Sequence, residues 1–205
     1  MKKKIVALCL CVALAVVAIG GATLAYFTDT ETATNTFAVG NVDITLTESE
    51  WDQNDTHKLV PGTTIAKNPT VTVVKGSEEC YVRVLVTINK SGAWDTIFAK
   101  LKEEQPNLQI TDLLVGYDSN NWACVKITKN TADNTRTYEL RYKEAVDASA
   151  EAKAMPALFT AVKVPSTLTG DQIGTLEGFN IVIEAQAIQT ATFANDDAAW
   201  AAFTK

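Results

Sequence analysis

The residues that could do chemistry in this 205-residue chain are few. There is one histidine, His57, and it sits in a polar stretch, 48–58. A zinc peptidase of the common kind needs two histidines one helical turn apart, with a glutamate between them, so that both imidazoles meet one metal. A single histidine cannot build that pattern. Glu50, Asp52, Asn54 and Asp55 cluster in the same stretch and could ligate calcium through oxygen. They lack the glycine and the distal glutamate of a calcium loop, so a solvated turn is the simpler reading. GlyXaaSerXaaGly, CysXaaXaaCys and a phosphate-cradling glycine loop are all absent. The expectation is no catalytic residue, no metal site and no cofactor.

The cysteines divide into two pairs. Cys9 and Cys11 lie inside an apolar run and read as fillers of it. Cys80 and Cys124 lie in predicted strands. Export would permit a disulfide between them, closing a loop worth about 4 kcal/mol on the chain-entropy model. Two small buried thiols are the alternative.

The first 25 residues have the layout of an export signal. Lys2, Lys3 and Lys4 precede an unbroken apolar run, Ile5 to Ile19, and ThrLeuAla at 23–25 is a small-residue cleavage site. Cleavage after Ala25 leaves Tyr26 as the new N-terminus. A retained anchor is the alternative, since the run extended to Ala25 approaches the ~20 residues of a spanning helix. Removing the signal takes away three of 18 basic residues and no acid, leaving 15 against 24 and a net charge of −9. Such a chain repels nucleic acid and anionic lipid, so the membrane is a partner only through the uncleaved signal.

The stretch after the signal, 26–46, reads as an extended strand. Phe37 and Val39 alternate on one parity, and Val42, Ile44 and Leu46 on the other. A bulge at Gly40 would restore one continuous apolar face. A terminal strand of this kind either pairs in its own sheet or completes a sheet in a neighbouring subunit.

Further on, ValProGly at 60–62 is a turn signal, with Gly62 in the left-handed position. Strands are predicted at 70–74, 81–88, 122–128, 137–142, 158–164 and 179–188. In 81–88, Val82, Val84, Val86 and Ile88 make an apolar face opposite a mixed one. The start of 179–188 is apolar on both sides and reads as a central strand. One helix is expected over 94–105, with Trp94, Ile97, Phe98 and Leu101 inward, Ser91 as its cap and Pro106 as its stop. The alanine-rich 145–155 reads as a weak helix. A short terminal helix over 195–203 would dock through Trp200 and Phe203. The set predicts an all-β fold, a two-sheet antiparallel sandwich with one or two short peripheral helices, built as one domain over 26–205.

Several blocks carry a family resemblance. AlaTyrPheThrAspThrGlu at 25–31 leads into AsnThrPheAlaValGlyAsnValAspIle at 35–44. ValProGlyThrThrIle (60–65), TyrValArgValLeuValThrIle (81–88), LeuPheThrAlaValLysValPro (158–165) and IleGluAlaGlnAlaIleGln (183–189) follow in order. Together they resemble the TasA/camelysin family of exported proteins processed by a SipW-type signal peptidase. The resemblance implies a jelly-roll sandwich and subunits of extracellular biofilm-matrix fibres. On that footing the chain is expected to be a secreted, cell-surface fibre subunit whose partner is itself, head to tail. Phe37, Val39, Gly40, Val42, Ile44 and Leu46 would form the donated strand. The camelysin name also carries a claim of metallopeptidase activity, for which the sequence supplies no residues. A monomeric surface adhesion module is the remaining alternative.

Overall fold

The computed structural model describes residues 41–51 and 57–203. All of them belong to one compact unit, Ala38–Lys205. Ala25, Tyr26, Phe37, Val39, Gly40, Asp52, Asn54 and Asp55 lie outside the described residues, so neither the cleavage site nor the bulge is seen.

The unit is organised around β4 (Ser77–Ile88), which begins four residues earlier than the sequence shows, with the alternation broken between Ser77 and Cys80. Val82, Val84, Val86 and Ile88 are buried, as their spacing predicts. On one side β4 pairs antiparallel with β11 (Ile181–Gln189). On the other it pairs with β7 (Thr135–Tyr142) and, near its start, with β8 (Val146–Ala148). β7 pairs in turn with β6 (Trp122–Asn130). This larger sheet runs β11-β4-β7-β6, so among the described residues β11 is an edge strand and not a central one. Val182 shows why the sequence misleads: it points away from the core and is 55% exposed.

The facing layer consists of two short sheets, β1-β3-β9 and β2-β10-β5. These are β1 (Ile44–Thr47), β2 (Thr64–Ala66), β3 (Thr70–Val73), β5 (Leu114–Val115), β9 (Lys153–Ala154) and β10 (Ala161–Lys163). They form one ribbon, because 64–73 runs antiparallel to 153–163 throughout. Val73 pairs Lys153 and Thr64 pairs Lys163 at the two ends. Between them the amides of Met155 and Leu158 donate to the carbonyls of Val71 and Pro69, and the Lys67 amide to that of Thr160. The register slips by one residue between the two ends, and Pro69, which lies in that stretch, has no amide hydrogen to give to a ladder. All pairings are antiparallel, and the fold is the expected all-β sandwich. The 145–155 segment supplies β8 and β9 in place of a helix: its backbone groups are claimed by β4 and β3, and tertiary pairing overrides alanine's helical preference.

Two apolar clusters fill the interior. One joins β3, β4, Trp122, Leu140, Leu158 and Phe159. The other joins Ile88 to Leu113, Val164, Leu168, Leu176 and helix α1 (Ser91–Glu104). Trp94, Ile97 and Leu101 are the buried stripe of α1, at the spacing read from the sequence. The helix begins earlier than expected, and Ser91 is its first residue rather than its cap. The Asn134 side chain, from the β6–β7 turn, caps it instead: Oδ1 accepts from the Gly92 amide at 2.8 Å and from the Ser91 hydroxyl at 3.3 Å. Gln105 follows the helix, and its amide closes the last turn on Leu101 before Pro106. A short helix that the sequence reading missed, α2 (Gly170–Thr175), has a reciprocal cap between Thr169 and Gln172.

The C-terminal helix α3 (Asp196–Ala202) is capped by Asn195, whose side chain accepts from the Ala198 amide. It docks through Trp200 on the outer face of the larger sheet, with the Arg83 guanidinium 4.2 Å from the indole centroid and 4.9 Å from that of Phe203. Beneath it lies a polar layer. Arg83 donates to Gln186 and Glu139, and Arg141 links Glu139 to Asp196 and Asp197. Gly62 has the expected left-handed backbone, φ +81°.

Candidate functional site

The described part of the proposed donor strand is used within its own subunit. β1 pairs antiparallel with β3, Ile44 opposite Val73 and Leu46 opposite Val71. Val42, Ile44 and Leu46 share one half-buried face on the first core cluster. The segment just before β1 is fastened as well. The Ser77 hydroxyl accepts from the Asp43 amide at 3.1 Å, and the amides of Val74 and Glu78 donate to the carbonyls of Asp43 and Asn41. Sequence spacing finds the apolar face; the tie to Ser77 has no signal in the sequence.

Among the described residues the opposite flank is open. β5 and β6 are the last strands of their layers on that side, and residues 116–121 carry the chain across between them. Gly116 makes this crossing possible. Its φ is +67°, and a Cβ there would lie 3.0 Å from the Thr160 hydroxyl. Of β6, Trp122 is buried and Ala123 half-buried; the other seven residues are exposed. Register places Cys124 opposite Leu140 and Ile127 opposite Tyr138, on the core-facing side, with a bulge between Cys124 and Lys126. Yet Ile127 is 57% and Val125 48% exposed, and Val115 on β5 is 41% exposed. Among the described residues no strand pairs the free edge of β6. An unpaired nine-residue edge carrying apolar side chains is a template for another strand. The sequence shows β6 as a strand but not that its outer edge is left unpaired by the described strands.

Cys80 and Cys124 are free thiols. β7 runs between their strands, and Val84, not Cys80, is level with Cys124 through Leu140. Two strand spacings and four residues of rise put the Cα atoms roughly 16 Å apart. A disulfide requires less than about 7 Å. Burial, with the Glu79 charge adding to it, pushes the Cys80 thiol up to about 12. Burial also raises the Cys124 thiol, although that residue is exposed at the surface.

His57 lies against Trp51, ring centroids 3.8 Å apart, and Lys67 sits over the same indole at 4.3 Å while pairing with Glu48. Among the described residues no three His, Cys, Asp or Glu side chains come together as a metal would need. The carboxylates that do cluster, Glu139, Asp196 and Asp197, are held by arginine.

Residues 1–86 match the family model described as camelysin metallo-endopeptidase. The match spans β1 to β3 and most of β4, and it supports the resemblance read from the sequence. No curated protein and no solved structure matches the chain. The camelysin description implies a catalytic metal. The described residues do not fit one: the sole histidine is stacked on an indole, and no set of three ligands converges. No helix among the described residues is long and apolar enough to cross a membrane.

Proposed function

We propose that the chain is an exported structural subunit that assembles head to tail into extracellular fibres by strand donation, and that it has no hydrolytic activity of its own. The observation that carries this reading is the open flank at β6. A donated strand laid along it gains a ladder of backbone hydrogen bonds and covers Val125 and Ile127. Val42, Ile44 and Leu46 are engaged within the subunit, so the donor is the part of the chain before Asn41, with Phe37 and Val39 as its apolar contacts. β1, from which the donor would extend, and β6 stand on opposite flanks of the unit, and a contact between such unlike surfaces does not close on itself, so it propagates as a filament. Removal of the signal after Ala25 by a SipW-type peptidase would free the donor, and the mature product would be secreted and surface-associated.

The test is a double substitution on the acceptor, Val125→Asp with Ile127→Asp. Both side chains are about half exposed, so completing their burial is worth roughly 1 kcal/mol each, and a buried unpaired carboxylate costs more. The variant should keep the native circular dichroism and remain monomeric at concentrations where the native chain forms filaments visible by electron microscopy. Filaments at an unchanged critical concentration would refute the reading. The camelysin match supports a second reading, a secreted metallopeptidase. Stoichiometric bound metal, together with substrate cleavage abolished by a chelator, would establish it.

A further inference from the structure

We propose that the seam between the two core clusters is a binding cavity for one uncharged apolar group of about benzene size. The two clusters do not fill the space where they meet, and a cavity of about 130 Å³ remains. Ile88 and Leu140 of the larger sheet wall one side; Leu114, Phe159 and Val162 wall the other, and Trp94 of α1 contributes at its end. The space persists because the facing layer is thin there: β5 has two residues and β10 three. The exposed Cys124 also lines it, so the cavity reaches the surface beside the open edge of β6.

The lining is almost entirely hydrocarbon. The volume would admit water, but an ordered water needs two to four polar partners, and these walls do not supply them. A dry apolar cavity of ~150 Å³ in another protein takes up benzene or xenon. The gain is the dispersion contact that the lining atoms lack across an empty space. The same walls select against polar ligands, since a hydroxyl or charge would leave its water with nothing in return. The ligand class is therefore an aromatic ring or a short alkyl group without charge. Uptake of such a group does not depend on whether the chain assembles into fibres.

The probe is benzene, with phenol as its polar counterpart. Benzene at tenfold its dissociation constant should raise the melting temperature of the chain by about 3 °C. Phenol should bind roughly tenfold more weakly, because its hydroxyl is buried unpaired. Val162→Phe should fill the space and remove the benzene effect. If that variant does not fold, nuclear Overhauser contacts from benzene to the methyl groups of Leu114, Leu140 and Val162 in the native chain decide the matter. Absence of both a melting shift and such contacts in the native chain would overturn the proposal. So would phenol binding as tightly as benzene, or an equal shift in a folded Val162→Phe.

Discussion

Asn134 ties the β6–β7 turn to the start of α1, and its replacement tests whether that link carries stability. Two contributions are separable. The side chain accepts from Gly92 and Ser91 at the helix start, where the first amides have no partner inside the helix. Losing such a cap costs about 1 kcal/mol. The backbone of Asn134 is also left-handed, φ +53°, a region that asparagine tolerates and alanine enters at a cost of about 1 kcal/mol or more. Asn134→Ala loses both, about 2 kcal/mol, whereas Asn134→Gly loses only the cap, about 1 kcal/mol. For a domain of this size 1 kcal/mol moves the melting temperature by about 2–4 °C. Alanine should therefore lower it by about 4–8 °C and glycine by about half that, by differential scanning calorimetry. Asn134→Asp retains the acceptor and should fall closer to native. Equal losses for alanine and glycine would refute the strain argument. A loss below about 1 °C for alanine would refute the cap.

Asp95 pairs with Lys129 and Arg136. Burial would raise its carboxyl, but the hydrogen bonds and charges of those two partners prevail and hold it below the usual range. A depressed folded pKa means stability that is present above about pH 4 and lost as the pH falls through the folded value. Asp95→Asn should flatten the decline of melting temperature in that acid range. A maleimide should label Cys124 and spare Cys80 in the native chain, with both labelled after denaturation, as read by peptide mass mapping. Trp200→Ala should cost roughly 3 kcal/mol. It should also speed amide exchange over Ile183–Ile188, where α3 covers Gln186 and its neighbours.

Elements with a strong local period were legible in the sequence. β4 and the apolar stripe of α1 appear where valines and aromatics repeat at spacings of two and of three to four residues. The turn at Gly62 and the terminal helix after Asn195 were legible because single residues impose their geometry. What failed was set by partners distant in the chain. β8 and β9 arise from an alanine-rich segment because β4 and β3 accept it. β11 reads as central, but among the described residues no strand pairs with its far edge. Cys124 falls in the predicted strand 122–128 and Cys80 directly before 81–88, yet only register shows the strand between them. The same holds for the candidate site: the face of Val42, Ile44 and Leu46 was visible, but the bare flank at β6 depends on which strands stop short.

The place of β4 at the centre of the larger sheet has a consequence for how the molecule forms. Among the described residues every strand that pairs with β4 lies later in the chain. β7 follows after a gap of nearly fifty residues, and β11, which pairs Gln189 with Cys80, after about a hundred. The ribbon of the facing layer also joins segments 80 to 99 residues apart, Val73 with Lys153 and Thr64 with Lys163. Distant pairings of this kind slow folding, typically to milliseconds or seconds, because the loop entropy is lost before contacts repay it. A chain emerging from its N-terminus would present Val82, Val84, Val86 and Ile88 bare until nearly its whole length is available. During that interval the unpaired strand is open to wrong neighbours. Nascent chains truncated before Ile181 should be sticky and protease-sensitive, and extension past Gln189 should bring protection in a single step.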